Sequence, residues 1–135
     1  MTPRLILPLG PTENHAYWVR GSRRGLKPEA LAWQQVVAGL AWQWRRDVGW
    51  RLPPVDRKIA VWIWVWWPDR RVRDPANLDK VLLDALTGVL WVDDQWVLPR
   101  HQDVWVNPEH PGLELALELL PEGYDPRRAC KGATS

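Results

Sequence analysis

Cysteine is nearly missing from this 135-residue chain, with Cys130 standing alone. A single thiol makes no internal disulfide and no Cys/His metal centre, so disulfide scaffolds and zinc-finger classes drop out. Long apolar runs are missing as well. The densest, residues 59–67, falls far short of the ~20 residues of a membrane span. The opening MTPRLILPLGPTEN is broken by Pro8 and Pro11 before it reaches the length of a signal-peptide core. A cytoplasmic protein with no membrane attachment is the expectation. A large net charge is also absent: the formal value is +2, too small for the total to signal nucleic-acid binding.

What is present is local. Arg20, Arg23, Arg24 and Lys27 form one basic group; Arg70, Arg71 and Arg73 form a second. The length suits one domain with one core, expected over residues 1–121, followed by a flexible tail over 122–135. Leu5 to Leu7 read as a first strand, and Thr12 to Lys27 as a polar loop. Pro28 and Glu29 open a helix running to about Arg46, with Leu31, Gln35, Val36, Leu40 and Ala41 at helical spacing and Gly49 beyond its end. Lys58 to Trp67 is strand-like and apolar on both faces, with Trp62, Trp64 and Trp66 on one of them. That row of tryptophans needs cover, from the chain's own helices and loops, a partner chain or a ligand. A second helix spans about Asn77 to Thr87, stopped by Gly88. Val97 to Val106, with a possible break at Pro99, and Leu113 to Leu119 complete the order βαβαββ. The fold class is therefore α/β (α+β), a single small domain with one mixed sheet packed with two helices.

The stretch RRVRDPANLDKVLLDALTGVLWVDD, residues 70–94, crowds three arginines, a lysine and five aspartates around that second helix. Leu78, Val81, Leu82 and Ala85 make its buried stripe, while Asn77, Lys80 and Asp84 share another face. Asp74 precedes the helix, and Asp93 and Asp94 follow it, so these acids could converge with Lys80 on one edge. Mg²⁺ suits such a place, because it takes oxygen ligands and tolerates few carboxylates when phosphate supplies the rest. The lysine would stabilise charge growing on phosphorus, and flanking arginines would grip neighbouring phosphates. Each piece also has a plain structural explanation: Asp74 as a helix cap, Lys80 with Asp84 as an exposed pair, Asp93-Asp94 as a turn. Their combination, with basic loops on both sides, favours metal-dependent phosphodiester chemistry.

RDPANLDKVLLDAL followed by LWVDD resembles the core motif of the RusA-type Holliday junction resolvases, an arginine-flanked Asp-x-Asp-Asn-Leu-x-Lys leading into Asp-Ala-Leu and then Asp-Asp. LPLGPTENHAY is similar to the family's N-terminal entry. The resemblance implies a homodimeric, Mg²⁺-dependent endodeoxyribonuclease (Mn²⁺ possible) that nicks four-way junction DNA symmetrically, with no organic cofactor. It makes Asp74 and Asp94 metal-binding aspartates with Asp93 beside them, and Lys80 the essential lysine. Asp74, Lys80 and Asp94 thus form the catalytic group, with Asn77 and Asp84 in support. Asn14 matches the asparagine of a DNA-contacting loop, joined as DNA-binding candidates by Arg23, Arg24, Lys27, Arg70, Arg71 and Arg73. A two-fold dimer lets each subunit cut one of two equivalent strands, and Trp62, Trp64 or Trp66 are expected near its interface.

Ala76 departs from that motif. It stands where the family has its second aspartate, and a methyl group holds no metal. Two accounts are open. The alanine is an engineered loss of the carboxylate; or it is natural, with Asp79 or Asp93 standing in, or with a protein that binds branched DNA without cutting it. Asp79 is the poorer stand-in, since it sits about a quarter turn off the Asn77, Lys80 and Asp84 face.

Overall fold

A strand whose two edges both pair, and whose two faces are both apolar, has one natural place, the middle of a sheet. Residues 1–127 are described by the structure, a computed structural model; Cys130 and the rest of the expected tail beyond Arg127 lie outside the described residues, as do the side chains of Glu13 and Asn14. In chain order the elements are β1 (Leu5–Leu7), α1 (Glu13–Ala16), β2 (Tyr17–Arg20), β3 (Arg23–Leu26), α2 (Pro28–Val48), β4 (Ile59–Trp67), α3 (Asp79–Leu86), β5 (Val97–Val106) and β6 (Gly112–Leu119). Short 3₁₀ turns at Pro75–Leu78 and Asp94–Trp96 bracket α3. The main sheet has the order β1-β6-β4-β5. It is mixed: β4 runs parallel to β5 and antiparallel to β6, and β1 runs antiparallel to β6. The expected α+β fold is the one observed.

Alternation along β4 sorts its side chains. Ile59, Val61, Ile63, Val65 and Trp67 are buried, in one core with α2, α3, β1 and β6. Leu78, Val81, Leu82 and Ala85 are buried as the helical spacing predicts. Polar bonds from α2 reinforce the packing. Gln34 donates to the Val81 carbonyl at 3.0 Å, Arg45 to that of Val89 at 3.1 Å, and Trp50, just past the helix, to that of Leu90 at 2.9 Å. Gly49 ends α2 in the left-handed region at φ 74°, a conformation that favours glycine.

The other face of β4 carries half-buried Trp62, Trp64 and Trp66, and the contacts recorded there come from strands and the N-terminal segment. The Arg4 guanidinium lies 3.9 Å from the Trp64 ring centroid and bonds to Glu114. Arg100 lies 5.2 Å from that of Trp62, and Trp105 stacks on Trp66 at 4.9 Å. An irregularity in the β4·β5 register makes that stack. His101 pairs with Ile63 but Asp103 with Trp64, so the extra residue, Gln102, flips the alternation and turns Trp105 toward Trp66.

Three local expectations change. Residues 12–27 are not a loop: they form α1 and an isolated two-stranded hairpin whose strands meet across Gly21-Ser22, a two-residue turn that fits a hairpin. Pro99 does not interrupt β5, because β5 is an edge strand where a missing N–H is harmless. Of the apolar positions expected to pattern the first helix, only Ala41 is buried; Leu31, Val36 and Leu40 are exposed, and Ala30, Val37, Ala41 and Trp44 face the core. We expect Ile63→Ala to lower stability by about 3 kcal/mol in denaturant unfolding, while Leu31→Ala on the outer side of α2 changes it by under ~1 kcal/mol.

Candidate functional site

The crossover from β4 to β5 carries the acids. A parallel pair needs a connection that returns to the starting end of the sheet, and here that return is the turn at Pro75–Leu78 followed by α3. Asp74 caps its beginning: Oδ1 accepts from the Ala76 N–H at 3.0 Å. Ala76 is exposed, with its methyl on that capped turn. Further along, Asn77, Lys80 and Asp84 share the face over which α1 and the start of β2 lie.

Near the far end of α3, Asp84 meets Asp94. The packing around the Asp84 carboxyl, and then the charge of Asp94, push its pKa above the usual 3.8; Lys80 and a bond from the Tyr17 hydroxyl at 3.5 Å pull the other way. Tyr17 links the pieces, its ring centroid 5.4 Å from Lys80 Nζ and 4.1 Å from the Arg24 guanidinium carbon. Sequence reading passed over Tyr17. The signal was its place as the first residue of the hairpin's first strand.

Asp74, at the start of the crossover, does not gather with this pair into a group of three among the described residues. It lines a separate cavity of about 260 Å³ with Thr12, His15, Arg71, Val72, Arg73 and Asn77. Asp93 turns away as well, its two oxygens accepting from the Gln95 backbone and side-chain N–H groups at 3.0 and 2.9 Å. Asp79 faces β5, where His101 Nε2 lies 2.8 Å from its Oδ1. The convergence expected of Asp74, Asp93 and Asp94 is therefore replaced by Asp84 beside Asp94. Among the described residues no three His, Cys, Asp or Glu side chains gather as a metal-holding group. The donor chemistry of Asp84 and Asp94 nevertheless fits a hard divalent cation, which accepts one or two carboxylates when waters and phosphate oxygens complete its shell.

Basic side chains border both places. On the hairpin Arg20, Arg23 and Arg24 are exposed, and Lys27 donates its backbone N–H to the Ala16 carbonyl at 2.7 Å. Gly25 permits the Trp18 ring to cross the hairpin; a β-carbon there would meet Trp18 Cζ2 at 2.5 Å. In the second basic loop Arg73 is committed to Asp69 at 2.7 Å and to the face of Trp67. Arg73, and then the Arg71 backbone N–H, hold the Asp69 carboxyl down at about 2. Arg70 and Arg71 are exposed, and neither side chain is in an ion pair among the described residues. Asn14 lies in α1, its side chain outside the described ones.

Paired carboxylates, one lysine and two arginine-bearing flanks make up the candidate site. Over residues 8–118 the chain matches the family described as Endodeoxyribonuclease RusA, and it belongs to that family. It is 33% identical over 98 residues to the Crossover junction endodeoxyribonuclease RusA of Escherichia coli strain K12, covering 72% of this chain and 78% of that one. The same identity and coverage hold for the protein of that name from Enterobacteria phage 82. Its namesake from Shigella sonnei is 32% identical over the same shares.

The raised pKa of Asp84 has a measurable sign. The folded protein holds this proton more tightly than the unfolded chain, so stability falls as pH rises from 3.8 through the raised value. Asp84→Asn is expected to melt at a higher temperature than the parent at pH 7, with the gap closing toward pH 4. A variant that melts lower at pH 7 would contradict the cost of keeping this packed carboxylate charged beside Asp94.

Proposed function

We propose that this chain is a structure-selective endodeoxyribonuclease that resolves Holliday junctions by symmetric, Mg²⁺-dependent phosphodiester hydrolysis. The observation that carries the reading is the Asp84–Asp94 pair beside Lys80 in a chain of the RusA family. Lys80 sits where an ammonium would offset charge developing on a phosphoryl oxygen. Arg71, Thr12 and His15 offer donors to a backbone phosphate in the neighbouring cavity. Arg20, Arg23, Arg24 and Lys27 extend the same polarity along the hairpin, and Arg70 along the second loop, for duplex arms. Mg²⁺ (or Mn²⁺), when bound on Asp94 and Asp84, would polarise the scissile phosphate and activate water.

The protein acts, on this reading, as a homodimer on a four-way junction, which presents two equivalent strands. The tryptophan face of the sheet supports that choice: its rings are half-buried against strand neighbours, on the side away from the helices. The sheet carries Ile6 on the same side, exposed and level with Glu114 and Trp64.

Ala76 favours a second reading, a branched-DNA-binding protein without catalysis. The motif aspartate is missing, Asp79 is engaged by His101, and Asp93 by Gln95, so neither supplies the missing carboxylate in this arrangement. Impaired cleavage with retained binding is the expected state of the chain. Ala76→Asp separates the two readings. We expect it to raise Mg²⁺-dependent nicking of a synthetic four-way junction at least tenfold, with Lys80→Ala removing the gain. Unchanged nicking alongside intact, salt-sensitive binding would leave the binding protein. Arg71→Ala should reduce the slope of log affinity against log salt by about one in either case.

A further inference from the structure

At the end of the sheet where β4 and β5 begin and β6 finishes, the chain leaves a cleft of about 440 Å³. Asp56, Arg57 and Lys58 line it from the lead-in to β4, Trp96 from the turn before β5, and Glu122 and Tyr124 from the segment after β6. Leu120 donates its backbone N–H to the Lys58 carbonyl at 3.0 Å, which ties the exit of β6 to the entry of β4. The chain then doubles back in a turn closed by the Tyr124 N–H on the Pro121 carbonyl at 3.0 Å, with Gly123 at φ 68°, where glycine is favoured. That turn sets Tyr124 on the wall of the cleft. The family match ends at residue 118, so this wall is built by sequence past it.

The size falls within the ~300–1,000 Å³ of ligand sites, and the lining narrows the ligand. Trp96 and Tyr124 are aromatic and half-buried. Arg57 gives its Nε–H to the Leu120 carbonyl; neither its remaining nitrogens nor Lys58 Nζ enter an ion pair among the described residues. The Trp96 Nε1–H is buried and meets no acceptor among them either. An unmet donor at a cavity wall calls for an acceptor from outside the chain. Asp56 and Glu122 cancel the two cations, so the cleft has no net charge with which to select a bare phosphate. Donors and acceptors set around two aromatic side chains instead match a nucleobase, a flat ring that stacks on its faces and carries both kinds of hydrogen-bonding group on its edges.

We infer that the cleft takes one unpaired nucleotide of a DNA strand, its base against Tyr124 and Trp96 and its edge among Arg57, Lys58, Asp56 and Glu122. The inference rests on the DNA-handling reading above. Position favours a strand over a free nucleotide. The crossover delivers Asp94 to this same end of the sheet, and Trp96 closes the turn that Asp94 opens, no more than ~7 Å of chain away. A strand whose phosphate lies by Asp84 and Asp94 therefore has a neighbouring base within reach of the cleft. Unpaired bases occur where a duplex branches or is gapped. The cleft adds a preference for such DNA that phosphate contacts from the basic loops do not supply.

Fluorescence anisotropy on the full chain, without divalent metal, tests the inference with labelled four-way junction, gapped duplex and fully paired linear duplex. Tyr124→Ala is expected to weaken binding to the gapped duplex about tenfold and to leave the paired duplex alone, which also reports that the variant is folded. Tyr124→Trp should keep the parental affinity. A gap of the same length made of abasic sugars should cost the parent the same tenfold and cost Tyr124→Ala nothing further, because ring and base are two halves of one contact. Equal losses on paired and gapped duplex, or an abasic penalty that adds in full to that of Tyr124→Ala, would overturn the proposal. Deoxyadenosine monophosphate displacing the gapped duplex as well as a short single strand does would assign the cleft to free nucleotides instead. A parent that shows the Tyr124 and abasic effects yet cuts no junction, even as Ala76→Asp, would remove the endonuclease and leave this inference standing. Junction cleavage with Tyr124→Ala silent on gapped DNA would do the reverse.

Discussion

The parallel pairing of β4 with β5 is the constraint on which the site rests. Parallel neighbours cannot be joined by a tight turn, so the chain leaves the end of β4, passes through α3 and re-enters at the start of β5. That return carries the aspartates, one group before the helix and the other after it. Asp74 is held at the beginning of the crossover by its bond to the Ala76 N–H. Asp94 is delivered beside Asp84, which the helix itself presents. The buried stripe of Leu78, Val81, Leu82 and Ala85 locks α3 in place, so the face bearing Asn77, Lys80 and Asp84 has no freedom to rotate inward. Core packing and the polar site are thus two sides of one helix.

The two basic clusters are held in different ways. One arginine of the second loop, Arg73, is neutralised locally by Asp69 and steadied on Trp67; this shapes the loop while Arg70 and Arg71 remain outside any ion pair among the described residues. On the other flank the cations sit on a two-stranded hairpin, and Tyr17 lies between Arg24 and the crossover helix. Its ring borders both Arg24 and Lys80 while its hydroxyl reaches Asp84. An aromatic ring can neighbour two cations at once because its negative face attracts each of them.

Much of this was legible in the sequence, and the failures are instructive. Strong periodicity located β4, α3 and β6, and proline and glycine marked the limits of α2. The hairpin was missed because its strands are short and its polar side chains mask the alternation; Tyr-Trp-Val before Gly-Ser was the available signal. The inward face of α2 was misjudged because apolar residues occupy both of its sides, so composition could not say which one the sheet would take. At the site, spacing along a chain does not fix which carboxylates meet. Local hydrogen bonding decided that: Asp74 and Asp93 became caps, Asp79 turned to His101, and Asp84 came to adjoin Asp94.

The margins of the main sheet are finished in different ways. At one side β1 is only three residues long, too short to template a full additional strand. At the other, β5 has no N–H at Pro99 and a kink at Gln102, which spoil the regular donor row that a foreign strand would need. Growth of this sheet by edge-on addition is therefore blocked on both flanks, and a protein this rich in tryptophan is shielded from fibre-like stacking by the shape of its outermost strands.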